Sequence, residues 1–503
     1  MKFPTSHFTK LAIITCLSVI PACNEPSPDV LRFGLASAPS NLDPRFATDA
    51  TSARINRLLY ERLVDFTQAS QPVPSLAMWE MLTPTHYRFR LKNQNSQFHD
   101  GSPLTSRDVK TTYDFILDPQ HSSPHRSSLK MIDHIEVPSE DIIDFHLARP
   151  DPLFPGYLII GILPARLVAK GHPFHSHPVG SGPFAFRGRP DESRLQLVRR
   201  SDNQPFEFIR VPDPTVRALK LLAGEIDMMQ NDLPPELVAY LAKNPQVHIQ
   251  RGRGTNFAYL GFNLQDPLTG QLVVRQAVAH AIDRKAIIRL VLGGSAHLAE
   301  SLLPPDHWAG DSSLQGYDYN PEKARSLLAK AGYSQEHPVH LTYKTSSDPF
   351  RIRLATIFQH QLTQVGFRVD LRSYDWGTFY GDIKAGRFQM YSLSWVGIQT
   401  PDIFSYVFHS RSVPPNGANR GRFKSPSADR LIEQAEAAEA LVDKRAYYQQ
   451  LQAYLLEALP YVPLWYEDHV FIARREIEGF TVALDGNYDG LQMVHRSITP
   501  LRH

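Results

Sequence analysis

The chain opens with two lysines, Lys2 and Lys10, a short apolar run from Leu11 to Ile20, and then Pro21-Ala22-Cys23. An apolar core of about ten residues cannot cross a hydrocarbon layer roughly 30 Å thick at helical rise, so residues 1–22 read as an export signal. Its removal takes Cys16 with it and leaves Cys23 as the sole cysteine. The exported chain then has no intramolecular disulfide, although an oxidising compartment would permit one. Packing has to hold it together. Its length exceeds the roughly 250–300 residues at which a single hydrophobic core stops growing, so two or more domains are expected.

Cleavage before Cys23 would leave a thiol and an amine on one residue, both open to acylation. The segment resembles a bacterial lipoprotein signal, with Ile20 and Ala22 in the small or aliphatic positions, and a lipid anchor at Cys23 is expected. The body reads as soluble: Leu158 to Ile162 is apolar but is fenced by Pro155, Gly156 and Pro164. The 42% apolar content suits a folded globular chain. Loss of Lys2 and Lys10 takes the formal charge from +2 to neutral, and the remaining Lys and Arg residues are scattered, which argues against nucleic acid as a partner.

Strand and helix patterns alternate along the chain. Val30 to Leu35 and Tyr87 to Leu91 alternate with period two, and Ser52 to Leu63 places Ile55, Leu58, Leu59 and Leu63 on one helical face. After the Asp100-Gly101 turn, Thr105 reads as a helix N-cap with Asp108 bonding back to its amide. Val274 to Leu292 reads as one helix ended by Gly293-Gly294, and Asn320-Pro321 opens another that stops at Gly332. A third runs from Asp443 to Ala458. No repeat and no long flexible linker is present, so the domains are expected to interleave.

Candidate chemistry is sparse. His172, His175 and His177 fall within six residues, but no helical carboxylate or histidine partner accompanies them, and an exposed loop is the expectation, with no metal site and no cofactor. Gly180-Ser181-Gly182-Pro183 suits a backbone turn rather than a nucleophile elbow, and Arg251-Gly252-Arg253-Gly254 lacks the Lys-Ser/Thr pair of a phosphate loop. Glu467-Asp468 reads as solvated. Arg351 and Arg353 share one side if their segment is extended, where they could bind an anion. Trp376, Phe379, Tyr380, Tyr391, Trp395 and Phe404 cluster in a Gly-punctuated region. The loop Trp395 to Asp402 suits a cleft that holds a ligand by stacking and main-chain hydrogen bonds, whereas Trp376 is expected in the core. The ligand-binding expectation comprises Trp395, Gly397, Ile398, Asp402, Asn256, Arg351 and Arg353.

Several blocks resemble, in order, the family 5 extracellular solute-binding proteins, the peptide-type receptors of bacterial ABC importers. They are Asn41-Leu42-Asp43-Pro44, Phe98-His99-Asp100-Gly101-Ser102-Pro103-Leu104-Thr105, Pro178 to Phe184, Ala281-Ile282-Asp283-Arg284, Ala324 to Tyr333 and Tyr461-Val462-Pro463-Leu464.

The resemblance implies an α/β, bilobal periplasmic-binding-protein-like fold of type II with an extra domain. Residues 29–67, 176–258 and 478–503 would form lobe I, 68–175 its extra domain, and 259–477 lobe II. It also implies a monomeric, non-enzymatic receptor in the periplasm or cell envelope that closes on a small solute, most simply a peptide, and docks on ABC permease transmembrane subunits. Peptide-binding relatives place an aspartate three residues after the cleft tryptophan to pair with the ligand's amine. Here that position is Ile398, and Asp402 is the nearest acid. Either Asp402 substitutes, or the solute is a metal chelate, sugar or opine without that amine. An exported hydrolase is the alternative from a different class.

Overall fold

The computed structural model describes residues 30–497, apart from 68, 94, 95 and 335. The export signal and Cys23 lie outside the described residues. An eleven-stranded sheet forms the spine. Its order is Phe367–Tyr374, Val339–Ser346, Met390–Trp395, Val247–Phe262, Tyr461–Arg474, Met228–Gln230, Leu31–Leu35, Pro205–Arg210, Arg194–Arg199 and Phe184–Asp191, with Ala296–Leu298 also paired to Tyr461–Arg474.

Two long strands join the halves of this sheet. Val247–Phe262 and Tyr461–Arg474 run antiparallel, and their register slips between Gly252 and Asn256, where three residues oppose Asp468 alone. Extra residues of this kind bend and twist a strand. Gly254 sits inside the slip, where a Cβ would fall 2.1 Å from the Glu467 carbonyl oxygen, so only glycine fits. Before the slip the strand lies in the half that contains Leu31–Leu35; after it, in the half that contains Met390–Trp395.

Separate apolar clusters support these parts. Phe33, Leu58, Phe206, Met228 and Phe471 pack on one face of the first half, and Leu221, Ile226 and Ile472 lie in a second cluster. In the second half, Leu260, Val278, Phe358 and Trp465 form one core and Tyr259, Phe404, Tyr448 and Tyr466 another. A further core, with Phe89, Tyr113, Phe145 and Phe154, lies under a separate antiparallel sheet ordered Ala77–Thr83, His86–Leu91, Ile142–Leu147, Ile132–Ser139. Leu153 reaches from beside this unit into the core of the second half.

Local signals explain most elements. Thr105 N–H donates to the Asp108 carboxylate at 2.8 Å, closing the expected cap of Ser106–Leu117. Asn320 accepts from Lys323 N–H at 2.9 Å to open Pro321–Lys330. The single helix expected over 274–292 is instead two, Leu272–Ala281 and Arg284–Leu290. Asp283 breaks it, because its carboxylate caps the second helix by accepting from Ala286 N–H at 2.9 Å.

Candidate functional site

The helix Ala50–Leu59 carries its apolar residues Ile55, Leu58 and Leu59 into the first half's core. That leaves Ala53, Arg54 and Arg57 on a cavity of about 620 Å³. Asp49 caps the helix, accepting from Ser52 N–H at 2.8 Å, so its charge serves the backbone. Facing this wall is the loop after Met390–Trp395, which contributes Val396, Gly397, Gln399, Thr400 and Asp402. Gly156, Tyr157 and Gly161 line a third side, and Asp485 and Asn487 close the cavity from the C-terminal segment.

Among the arginines on the helix wall the charges are unequally spent. Arg57 donates from Nε to Asp489 at 2.6 Å and from Nη2 to Asp65 at 2.8 Å, and Arg62 reaches the same Asp65 oxygen at 2.9 Å. Arg54 lies 5.6 Å from the centre of the Tyr488 ring and forms no ion pair among the described residues. A guanidinium in this position is available to a ligand carboxylate or similar anion.

The opposite wall holds the complementary charge. Burial pushes the Asp402 carboxyl up to about 6, and the nearby acids Asp151 and Glu436 add to the rise, against a hydrogen bond from the Thr400 hydroxyl. Lys444 is the nearest compensating cation: it lies 3.8 Å from Asp151 and donates to the carbonyls of Ala435 and Glu436 at 2.9 and 3.0 Å. Arg149, 4.0 Å from Glu436, is a second cation, and two cations among three carboxylates leave room for another positive group.

Two of the residues anticipated from sequence, Gly397 and Asp402, line the cavity. Ile398 is 7% exposed and packs into the core with Phe404 and Tyr448, so its side chain faces away from the cavity. Trp395 ends its strand opposite Phe257, with the Arg420 guanidinium 4.6 Å from its ring centre and Tyr406 edge-on at 6.3 Å. Its Nε1 is shielded from solvent without a hydrogen-bond partner. Asn256 borders the strand slip and pairs with Glu467.

Arg351 and Arg353 are not on an extended segment. Asp348 caps and Pro349 starts the helix Pro349–Gln364, where residues two apart point in different directions. Arg351 reaches Glu467 at 3.2 Å, and Arg353 makes a two-pronged contact with Glu236 at 2.9 and 3.0 Å. Glu236 belongs to the first half of the molecule and Arg353 to the second. Glu467 and Asp468, expected in solvent, are drawn into the crossing: Asp468 accepts from His297 at 3.1 Å and from Gly254 N–H at 3.3 Å. Trp376 also departs from expectation. It is 59% exposed at the start of Trp376–Ala385 and stacks on Tyr380 at 5.3 Å.

Sequence reasoning passed over Arg54, Asp151 and Tyr157. The polar stripe of the 52–63 helix pattern contained Arg54, but nothing local separates it from Arg57. The most recognisable sequence blocks, by contrast, are scaffold. His99 N–H donates to the Gly180 carbonyl at 2.7 Å and its ring bonds the Gly182 carbonyl at 3.1 Å, with burial holding the imidazole down to about 4. A Cβ on Gly182 would fall 2.4 Å from the Leu58 carbonyl, so this turn fits against the cleft helix only as glycine. In the 172–177 loop, His172 bonds the His177 carbonyl at 2.7 Å and His177 bonds Ser176 at 3.0 Å.

Comparison with known proteins agrees with this architecture. Heme-binding protein A of Haemophilus influenzae is 28% identical over 474 residues, 85% of each chain. The dipeptide-binding protein of Escherichia coli is 25% identical over 488 residues, 88% of this chain and 90% of the relative. The solved structure of NikZ from Campylobacter jejuni in complex with Ni(L-His) superposes with a TM-score of 0.81 at 21% identity, covering 93% of this chain and 99% of that one. A model of the bacterial extracellular solute-binding proteins, family 5, matches residues 71–416. With two sheet halves joined by crossing strands and a cavity walled by both, the chain belongs to that family of solute-binding proteins and has its two-lobed α/β fold.

Proposed function

We propose that this protein is the extracytoplasmic receptor of an ABC importer and that it takes a small zwitterionic solute, most simply a short peptide. The observation that carries the reading is Arg54, bonded to Tyr488 but in no ion pair among the described residues, on one wall of the cavity and the buried carboxyl of Asp402 on the other. Asp402 stands in for the acid that Ile398 replaces and meets the ligand's amine, while Arg54 meets its carboxylate. Because the two groups sit on different lobes, a solute that bridges them binds the closed form better than the open one, and only such differential affinity shifts the equilibrium.

The strand slip around Gly254 is the hinge in this reading. Arg353–Glu236, Lys444–Asp151 and a Gln399–Asp485 hydrogen bond at 2.9 Å are contacts of the closed state. The closed receptor delivers its solute to permease subunits without altering a covalent bond, and acylation of Cys23 tethers the monomer to a membrane. Heme, dipeptide and nickel-histidine names among the similar proteins leave the solute's class wide, and the buried Ile398 supports a second reading in which the ligand has no amine.

Thermal-shift titration with dipeptides, tripeptides, their N-acetylated and C-amidated forms, and opines separates the two. Stabilisation by free peptides that is lost on N-acetylation supports the first reading. Stabilisation only by solutes without an amine overturns it. Mass spectrometry of solute released from gently purified protein then identifies the natural ligand.

A further inference from the structure

We propose that the solvent face of the four-stranded sheet carries a binding site for a divalent transition ion of zinc-like chemistry, formed by His134, Glu136 and His146, on a different unit from the cavity-lining helix. The row is set by strand register. His86 on His86–Leu91, His146 on Ile142–Leu147 and His134 on Ile132–Ser139 are direct cross-strand partners. Tyr87, Phe89, Ile143, Phe145 and Ile135 point the other way into the core, so alternation puts all three imidazoles outside, and a register shift between Ile132 and His134 lets Ile132 face the core as well.

The donor set is suitable for such an ion. One ligand atom from each of His134, Glu136 and His146 lies within 4.8 Å of the others. Glu136 oxygens are 3.5 Å from His134 Nε2 and 3.7 Å from His146 Nε2. Asp133 accepts from His134 Nδ1 at 2.8 Å, which fixes the proton there and leaves Nε2 as the lone-pair nitrogen, the outer-carboxylate arrangement that orients metal-bound histidines. His146 Nε2 is shielded from solvent and has no hydrogen-bond partner. Asp144 is held by both oxygens to Arg88, at 2.8 and 2.7 Å, and so is not a donor.

The rings now lie parallel, His134 on His146 at 4.3 Å and His86 on His146 at 4.1 Å. Ligand nitrogens on one zinc ion sit about 3.3 Å apart at bond lengths of about 2.0–2.1 Å, so His134 and Glu136, both exposed, must swing inward as the ion binds. Two imidazoles and a carboxylate select zinc, nickel or copper over magnesium or calcium, and the fourth position stays open to water or an exogenous ligand.

The test is calorimetric titration of Zn²⁺ into the untagged protein at pH 7.5. One equivalent should bind saturably, and His134→Ala and His146→Ala should each weaken it at least roughly tenfold. The triple variant His172→Ala, His175→Ala, His177→Ala and the cleft variant Asp402→Asn should leave it unchanged. In melting experiments Zn²⁺ should raise the midpoint of the wild type and not of the His134→Gln, His146→Gln double variant, whose own unperturbed melting shows that it is folded. Absence of saturable binding, or binding retained in that folded double variant, overturns the site. Neither outcome bears on the solute reading.

Discussion

The two walls of the cavity handle charge differently. On the helix wall, Asp49 is spent on a backbone cap and Arg57 on Asp65 and Asp489, leaving Arg54 over. On the loop wall, Asp402 is buried beside two other acids and keeps its proton to about pH 6. Neighbours one helical turn apart therefore play opposite parts: Arg57 holds the chain to itself, and Arg54 faces whatever enters. The charges left unsatisfied by the fold, rather than the most recognisable sequence blocks, mark where a solute's own charges belong.

The sharpest break of this comparison is Asp402→Asn. Loss of a buried, charge-assisted contact should weaken an amine-bearing solute by roughly 100-fold. The ligand-free protein should instead melt higher at pH 7.5, by the equivalent of roughly 1–3 kcal/mol. The sign follows from the raised carboxyl: its contribution to folding is complete below the unfolded value of 3.8 and is lost as pH rises through about 6, so the asparagine's advantage should vanish near pH 3.8. A variant that melts lower at pH 7.5 would make Asp402 scaffold instead.

Next in size, Arg54→Ala should cost roughly 10- to 30-fold in affinity for a free carboxylate and little for the C-terminal amide, with stability nearly unchanged. Arg57→Ala should do the reverse, lowering stability by roughly 1–3 kcal/mol because it strands Asp489 part-buried and leaves Asp65 with Arg62 alone. Paired calorimetry and melting curves distinguish these outcomes. Equal behaviour of the two variants would erase the difference between the arginines.

A smaller effect is expected from acidity alone. Wild-type affinity for the amine should fall by up to about tenfold per unit as pH drops below about 6, with proton release on binding in that range, measurable by titration in buffers of different ionisation heat. The smallest should come from Glu236→Gln, which weakens the exposed pair with Arg353; its effect on affinity should stay under about fivefold. A larger loss would place the closure energy in that contact rather than in the solute.

Much of the fold was legible because it is written in short-range chemistry. The Thr105–Asp108 cap, the Asn320-Pro321 start and the alternation of Tyr87 to Leu91 each need only a few neighbouring residues. Asp283 was misread for the same local reason: apolar periodicity continues through it, and its role as a cap depends on which way the chain turns. The aromatic run misled in another way. Trp376 and Trp395 are similar in sequence context, yet one is exposed on a helix and the other is wedged between Arg420 and Tyr406.

By itself the sequence determined the need for more than one core and the alternating α/β pattern, and it pointed to the loop from Trp395 to Asp402, part of which lines the cavity. Only the tertiary structure decided which charges are free. Pairing of Arg57 with Asp489 spans 432 residues, the helix that carries Arg351 and Arg353 turns them to different partners, and three histidines far apart in the chain meet in one cross-strand row. Periodicity reports which face of an element is buried; it does not report what that face meets, because that depends on how distant strands come into register.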